Sequence, residues 1–171
     1  MSRLAACVAV VSFLWGGCGG GGSQPATKAP EGPENRWLRG LSATDVKKVA
    51  ESRGLVCEGP RLEGGTSVWT CQTRTPLVSY MVRFYGSAPL KIEYVTATIT
   101  QSGPPKEELV APLFVGLAGL HFEGSDAPKA RAWTSEHCKT GGTIQFGPAK
   151  FRIHGDLGRL TLDIKAAGSD W

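Results

Sequence analysis

Cysteine is the residue type in this sequence that can take part in the most kinds of chemistry. Three of the five cysteines lie beyond residue 50, and they are Cys57, Cys71 and Cys138. Cys57 and Cys71 fall in adjacent predicted strands that a Gly-rich loop joins. In an oxidising compartment this arrangement predicts a disulfide across a hairpin. Two buried thiols, or a bond that involves Cys138, are the alternatives.

Cys138 follows Glu136 and His137, so three side chains that can bind a metal stand together in a segment, residues 123–142, that we expect to be a long loop. Neighbouring residues rarely complete a metal site by themselves, and no second Cys or His stands at ligand spacing. A structural cysteine is therefore favoured, and we expect neither a metal nor a cofactor. An enzyme site that folding assembles near these three residues is kept as an alternative.

Basic side chains alternate along the last two predicted strands. They are Lys150, Arg152, His154, Arg159 and Lys165, with Asp163 interrupting the series. Period-two alternation places them on the outward face of a hairpin, where they form either an ordinary solvated surface or a weak binding face for anions. An anionic envelope polymer, lipid headgroups or an acidic partner would suit the second interpretation.

Other catalytic signals are missing from the sequence. It contains no P-loop, no G-x-S-x-G elbow, no H-E-x-x-H and no paired C-x-x-C. Lys plus Arg number 19 and Asp plus Glu number 15, so the net charge of +4 is too mild to indicate nucleic-acid binding. We therefore expect a non-catalytic binding, assembly or structural module.

Apolar periodicity predicts the elements that position these residues. Residues 41–55 form a helix with Ser42 as N-cap, and four strand-like runs follow near 55–58, 67–73, 78–85 and 91–101. Residues 106–122 form a second helix, and three alternating runs close the chain. The order α-β-β-β-β-α-β-β-β predicts an α+β fold, with two main helices packed on one side of an antiparallel sheet.

The amino terminus is predicted to carry an export signal. After Arg3, residues 4–15 are uncharged and mostly apolar, a run too short to span a bilayer but typical of a secretory signal peptide. Gly16 and Gly17 then place small residues directly before Cys18. This segment resembles a bacterial lipoprotein precursor, in which a lipobox cysteine is lipidated and becomes the first residue. The resemblance implies a diacylglyceryl thioether on Cys18, an acylated amine, and membrane anchoring.

The sequence thus predicts three regions. Residues 1–17 are a lipoprotein signal peptide, residues 18–35 a disordered Gly/Pro-rich tether, and residues 36–171 a single α+β domain outside the cytoplasm. The resemblance, with Gly19 after Cys18, implies a place in the cell envelope, in the outer membrane where a cell has two. A secreted soluble protein is the alternative. An envelope protein or an anionic polymer is the expected partner.

Overall fold

The structure is a computed structural model in which residues 36–102, 107–156 and 158–169 are described. Strands account for more of these residues than helices do. In chain order the elements are α1 (Ala43–Glu51), β1 (Val56–Glu63), β2 (Thr66–Arg74), β3 (Val78–Ala88), β4 (Lys91–Gln101), α2 (Glu107–Ala118), α3 (Ala127–His137), β5 (Gly142–Phe146), β6 (Ala149–Asp156) and β7 (Arg159–Ala166).

Helix α1 begins and ends where its local sequence requires. The Ser42 hydroxyl accepts a hydrogen bond from the Asp45 N–H at 3.2 Å, and the Asp45 carboxylate accepts one from the Ser42 N–H at 3.1 Å. This reciprocal capping box satisfies two donors at the helix start. Beyond the last turn Gly54 takes a φ of +78°, and the Leu55 N–H donates to the Ala50 carbonyl. The predicted first helix is confirmed, with its regular part ending at Glu51.

The seven strands form one antiparallel sheet of order β1-β2-β3-β4-β7-β6-β5. Two meanders, β1–β4 and β5–β7, meet where β4 pairs with β7, so that Val95 lies opposite Ile164. Alternation along the strands gives the sheet an apolar face and a polar face, as the sequence predicts. The α+β class is therefore confirmed.

The three helices of the described residues cover the apolar face. Helix α1 packs on β1–β3, α2 on β7, and α3 on β5. Below them, one row of large side chains crosses the sheet on neighbouring strands, and these side chains join the helices in a single buried cluster. The row comprises Trp69, Phe84, Val95, Ile164 and Phe151. We call this side of the sheet the covered face.

The predicted order of elements agrees roughly with the structure but lacks one helix. The second helix ends at Ala118 instead of continuing to residue 122, and the expected long loop contains a third helix, α3. Asp126 caps α3 by accepting from the Lys129 N–H at 3.2 Å, and Pro128 lies in its first turn. Its buried residues include the small side chains of Ala127 and Ala130. Such a face gives little contrast in hydropathy, which is why the sequence pattern did not reveal it.

The predicted disulfide is confirmed. Cys57 and Cys71 lie directly opposite each other in the β1–β2 ladder and their sulfurs are bonded. Cys71 is fully buried and belongs to the core cluster, so the bond ties the edge strand to the covered face. Cys138 is buried and takes no part in this disulfide.

Candidate functional site

The opposite side of the sheet, which we call the open face, carries the outward side chains of β3, β4, β7 and β6. They are Met81, Arg83, Tyr85, Tyr94, Thr96, Thr98, Arg159, Thr161, Asp163, Lys165, Lys150, Arg152 and His154. Strand pairing sets Thr96 opposite Asp163, and Asp163 opposite Arg152. Side chains directly opposite each other in a ladder have Cβ atoms about 5 Å apart, so these polar groups are placed in contact by the backbone.

Asp163 lies at the centre of the open face and is only 1% exposed. Its Oδ1 accepts a hydrogen bond from the Tyr94 hydroxyl. Its Oδ2 accepts one from Nη2 of Arg152 at 2.8 Å and lies 2.9 Å from Nε2 of His154. Because an ionised carboxylate can only accept, the hydrogen between Asp163 and His154 belongs to Nε2. One buried carboxylate thus orients three side chains from two other strands.

These contacts set the charge states of Asp163 and Tyr94. Burial pushes the pKa of Asp163 upward, but hydrogen bonds from Tyr94, Arg152, His154 and Thr96 outweigh it and hold that pKa below its ordinary value. Burial, and then the hydrogen bond to Asp163, raises the pKa of Tyr94 well above that of a free tyrosine. Around neutral pH Asp163 is therefore ionised and Tyr94 keeps its proton.

A depression of about 330 Å³ lies over this cluster, and we call it the basic depression. Its lining combines three arginines, three threonines and two tyrosines with one histidine, one methionine and Asp163. They are Arg83, Arg152, Arg159, Thr96, Thr98, Thr161, Tyr85, Tyr94, His154, Met81 and Asp163. The basic depression is large enough for a small ligand and rich in hydrogen-bond donors.

Tyr85 and Tyr94 stack at one end of the basic depression, with ring centroids 5.3 Å apart. The Arg83 guanidinium lies over the Tyr85 ring and also pairs with Glu63 at 2.8 Å. The same two tyrosines line a second depression of about 320 Å³. Its charged residues are Glu63, Glu93 and Lys165, so we call it the acidic depression. Two depressions of similar size thus share an aromatic wall and differ in charge.

The five residues predicted as an anion-binding face do not all lie at one point. Arg152, His154 and Arg159 line the basic depression. Lys165 lines the acidic depression, where its ammonium lies 5.9 Å from the Tyr94 ring centroid. Lys150 lies opposite Lys165 in the β6–β7 ladder. The structure therefore divides the predicted basic series between two neighbouring parts of the open face.

Glu136, His137 and Cys138 lie at the end of α3 instead of on a loop, and their side chains do not converge. Glu136 is exposed. Nδ1 of His137 contacts the Trp133 carbonyl at 2.9 Å, and its ring stacks on the Trp133 indole. The Cys138 thiol donates to the Thr134 carbonyl within the same helix. Among the described residues, no group of three His, Cys, Asp or Glu side chains could hold a metal ion.

Sequence reasoning missed Asp163, Tyr94 and Arg83. Asp163 entered the prediction only as an interruption of a basic series. The hairpin register that joins β6 to β7 sets Asp163 opposite Arg152, so a register count from the turn was the available signal. Tyr94 is 69 positions away from Asp163, and only the long-range pairing of β4 with β7 brings them together.

Cys18 and the segments predicted as signal peptide and tether lie outside the described residues, so those predictions remain predictions. No helix in the described part of the chain is long and apolar enough to cross a membrane.

No protein-family model, curated protein or solved structure matches the chain. The geometry of the open face is therefore the basis for assigning its function.

Proposed function

We propose that this protein is an exported, lipid-anchored module that uses the open face to bind a ligand or partner in the cell envelope, without catalysing a reaction. The observation that carries this proposal is the Asp163 cluster. A buried carboxylate orients Tyr94, Arg152 and His154 beneath a depression, on the face of the sheet opposite the helices. Fixed polar groups in a concave surface are the usual basis of ligand recognition.

The energetics of the cluster support a binding role. A buried ion pair gains little or no net stability over apolar residues of the same size, because its desolvation offsets its attraction. The covered face shows that this sheet has apolar residues where stability alone is required. Polar groups held in place before a ligand arrives do favour binding, since they need no further ordering.

The protonation states of the cluster favour binding over acid–base catalysis. A general acid or base works best when its pKa lies near the working pH. The pKa of Asp163 is held below the ordinary carboxyl value, and that of Tyr94 is raised above the ordinary phenol value. Neither group exchanges a proton readily around neutral pH, so both serve better as fixed hydrogen-bonding groups.

The anchor belongs to the same proposal. An apolar run at residues 4–15, the small pair Gly16 and Gly17, and then Cys18 support lipidation of that cysteine. Residues 19–35 are rich in Gly and Pro, a composition typical of the linkers that join an anchor to a folded domain.

One experiment tests both parts of the proposal. Bacterial cells produce the chain with a photo-crosslinking amino acid at position 98, on the open face, while they grow in radiolabelled palmitate. We expect labelled protein in the membrane fraction and a light-dependent adduct. Cys18→Ala should abolish the label, whereas Cys7→Ala, the matched change within the predicted leader, should leave it.

The control for binding carries the same crosslinker at position 48, on the exposed side of α1. We expect position 98 to give an adduct of one defined mass and position 48 to give none. Palmitate that persists in Cys18→Ala would refute the anchor. Equal adducts from both positions would refute the open face as the binding surface.

A further inference from the structure

We infer that the basic depression binds an oxyanion, a phosphate or carboxylate group on a small ligand. This inference deepens the proposed function, because it rests on the open face being the binding surface. The inference rests on one observation. The guanidinium groups of Arg83, Arg152 and Arg159 line a single depression together with threonine hydroxyls.

Charge selects an anion. Three arginines and one carboxylate line the basic depression, and Glu63 beside it pairs with one of those arginines, Arg83. The acidic depression beside it has two carboxylates and one lysine. Because the two have similar volumes and share Tyr85 and Tyr94, charge is their main difference. An anion is therefore drawn to the Arg152 side of the tyrosine pair.

Geometry supplies donors in fixed positions. Asp163 contacts both Nε and Nη2 of Arg152, at 3.3 and 2.8 Å, which fixes the plane of that guanidinium. Planar N–H groups match the spacing of oxygens in phosphate and carboxylate. The Asp163 carboxylate thus acts as an internal counter-charge that positions Arg152 and His154 before the ligand arrives.

Hydroxyl groups complete the lining. Oγ1 of Thr98 lies 3.3 Å from Oγ1 of Thr161 on the neighbouring strand. A hydroxyl can donate or accept, so these threonines can turn their hydrogens toward an oxyanion or accept from a ligand hydroxyl. The volume of about 330 Å³ is at the small end of ligand sites, which favours a phosphorylated or carboxylated small molecule over a folded partner.

Glu63 restrains the third arginine. Both of its carboxylate oxygens accept from Nη2 of Arg83, at 3.1 and 2.8 Å, and about half of the Glu63 side chain is exposed. A bound anion would compete with Glu63 for Arg83. Removing the Glu63 charge should therefore strengthen anion binding, which a purely structural role for these residues does not predict.

Calorimetric titration of the full-length chain in a non-ionic detergent tests the inference. The probes are inorganic phosphate and citrate at constant ionic strength, with glucose as the neutral control. We expect saturable binding of at least one anion, with a dissociation constant of about 1 mM or lower. Arg159→Ala should weaken it about tenfold, the loss expected for one charge-assisted hydrogen bond. Glu63→Gln should strengthen it severalfold.

Lys129→Ala is the matched control, because it removes one positive charge from the exposed side of α3. It should leave the dissociation constant unchanged. Tighter binding of phosphate would identify a phosphoryl ligand, tighter binding of citrate a carboxylate ligand, and equal binding the shared oxyanion chemistry, so each supports the inference. No saturable binding by either anion would overturn it, as would binding that neither Arg159→Ala nor Glu63→Gln changes.

The two proposals fail separately. Adducts from position 98 in cells, together with no binding of phosphate or citrate, would retain the open face as a binding surface and reject the oxyanion. Anion binding that responds to Arg159→Ala and Glu63→Gln, together with no palmitate on the chain, would retain the oxyanion site and reject the anchor.

Discussion

The covered face and the open face are built on the same strands and differ in almost everything else. On adjacent strands β3, β4 and β7, the covered face sets Phe84, Val95 and Ile164 side by side. One residue away along those strands, the open face sets Arg83, Thr96 and Asp163 side by side. A single backbone thus presents an apolar surface on one side and a charged one on the other.

This difference separates stability from recognition. Burial of apolar area stabilises the fold in proportion to the area removed from water, and the covered face supplies most of that area. The ion pairs and hydrogen bonds of the open face contribute much less in net terms, because folding takes the same groups away from water. Substitutions that remove side chains of similar size should therefore lower the free energy of unfolding much more on the covered face than on the open face.

The largest effect is expected on the covered face, from Phe84→Ala. Phe84 is fully buried and its ring stacks on Trp69 with centroids 5.3 Å apart. Its removal leaves a cavity in the core cluster, so the free energy of unfolding should fall by about 3 to 5 kcal/mol. Urea titration followed by tryptophan fluorescence or circular dichroism measures that change.

Met81→Ala is the control on the open face of the same strand, where Met81 is 39% exposed. Removal of the Met81 side chain should lower the free energy of unfolding by less than about 1 kcal/mol, as is usual for partly exposed positions. Similar losses for Phe84→Ala and Met81→Ala would contradict the division between the two faces.

Asp163→Asn should have the next largest effect, because among the open-face residues whose burial the structure describes Asp163 alone combines full burial with charge. The variant keeps the shape of the side chain and removes the negative charge that Arg152 and His154 contact. We expect the free energy of unfolding to fall by about 1.5 to 3 kcal/mol at pH 7, the range for hydrogen bonds to charged groups.

The pH dependence provides a second readout for Asp163. Since the pKa of Asp163 is lower in the folded state than in the unfolded chain, its stabilisation is complete above the ordinary carboxyl pKa and is lost as the pH falls through the folded value. The difference in the free energy of unfolding between wild type and Asp163→Asn should thus narrow below about pH 4. Asp45 and Asp126, whose pKa values are also lowered, occur in both chains and cancel. A difference in the free energy of unfolding that stays constant below about pH 4 would contradict the lowered pKa of Asp163 in the folded state.

The elements that sequence predicts well are those set by local rules. Ser42 and Asp45 lie three residues apart and cap α1 without help from the rest of the chain. Alternating side chains assign both faces of the sheet, and two cysteines in neighbouring strands pair across the hairpin that joins them. Each of these features depends on residues close together in sequence.

The features that sequence does not predict depend on burial of small residues or on distant pairing. Helix α3 buries Ala130 and Thr134, which give weak periodicity, so the segment resembled a loop. The junction of β4 with β7 joins the two meanders and brings Tyr94 to Asp163. Nothing local specifies that junction, and so the candidate site was visible only as a basic series that Asp163 interrupts.

The smallest effect is expected from Tyr94→Phe, which isolates one hydrogen bond of the open face. The ring and its stacking on Tyr85 remain, while the donor to Oδ1 of Asp163 is lost. The free energy of unfolding should fall by about 1 kcal/mol at pH 7. Tyr85→Phe is the matched control, since it removes a hydroxyl from the other ring of the same pair and leaves the Tyr94–Asp163 hydrogen bond intact.

Alkaline pH sharpens this last comparison. Because the pKa of Tyr94 is raised in the folded state, first by burial and then by its hydrogen bond to Asp163, its contribution is complete below the ordinary tyrosine pKa of about 10. That contribution is lost as the pH rises toward the folded value. The higher free energy of unfolding of wild type relative to Tyr94→Phe should therefore disappear above about pH 10. No loss for Tyr94→Phe at pH 7, or a difference from wild type that persists in alkali, would show that the Asp163 contact does not stabilise the open face.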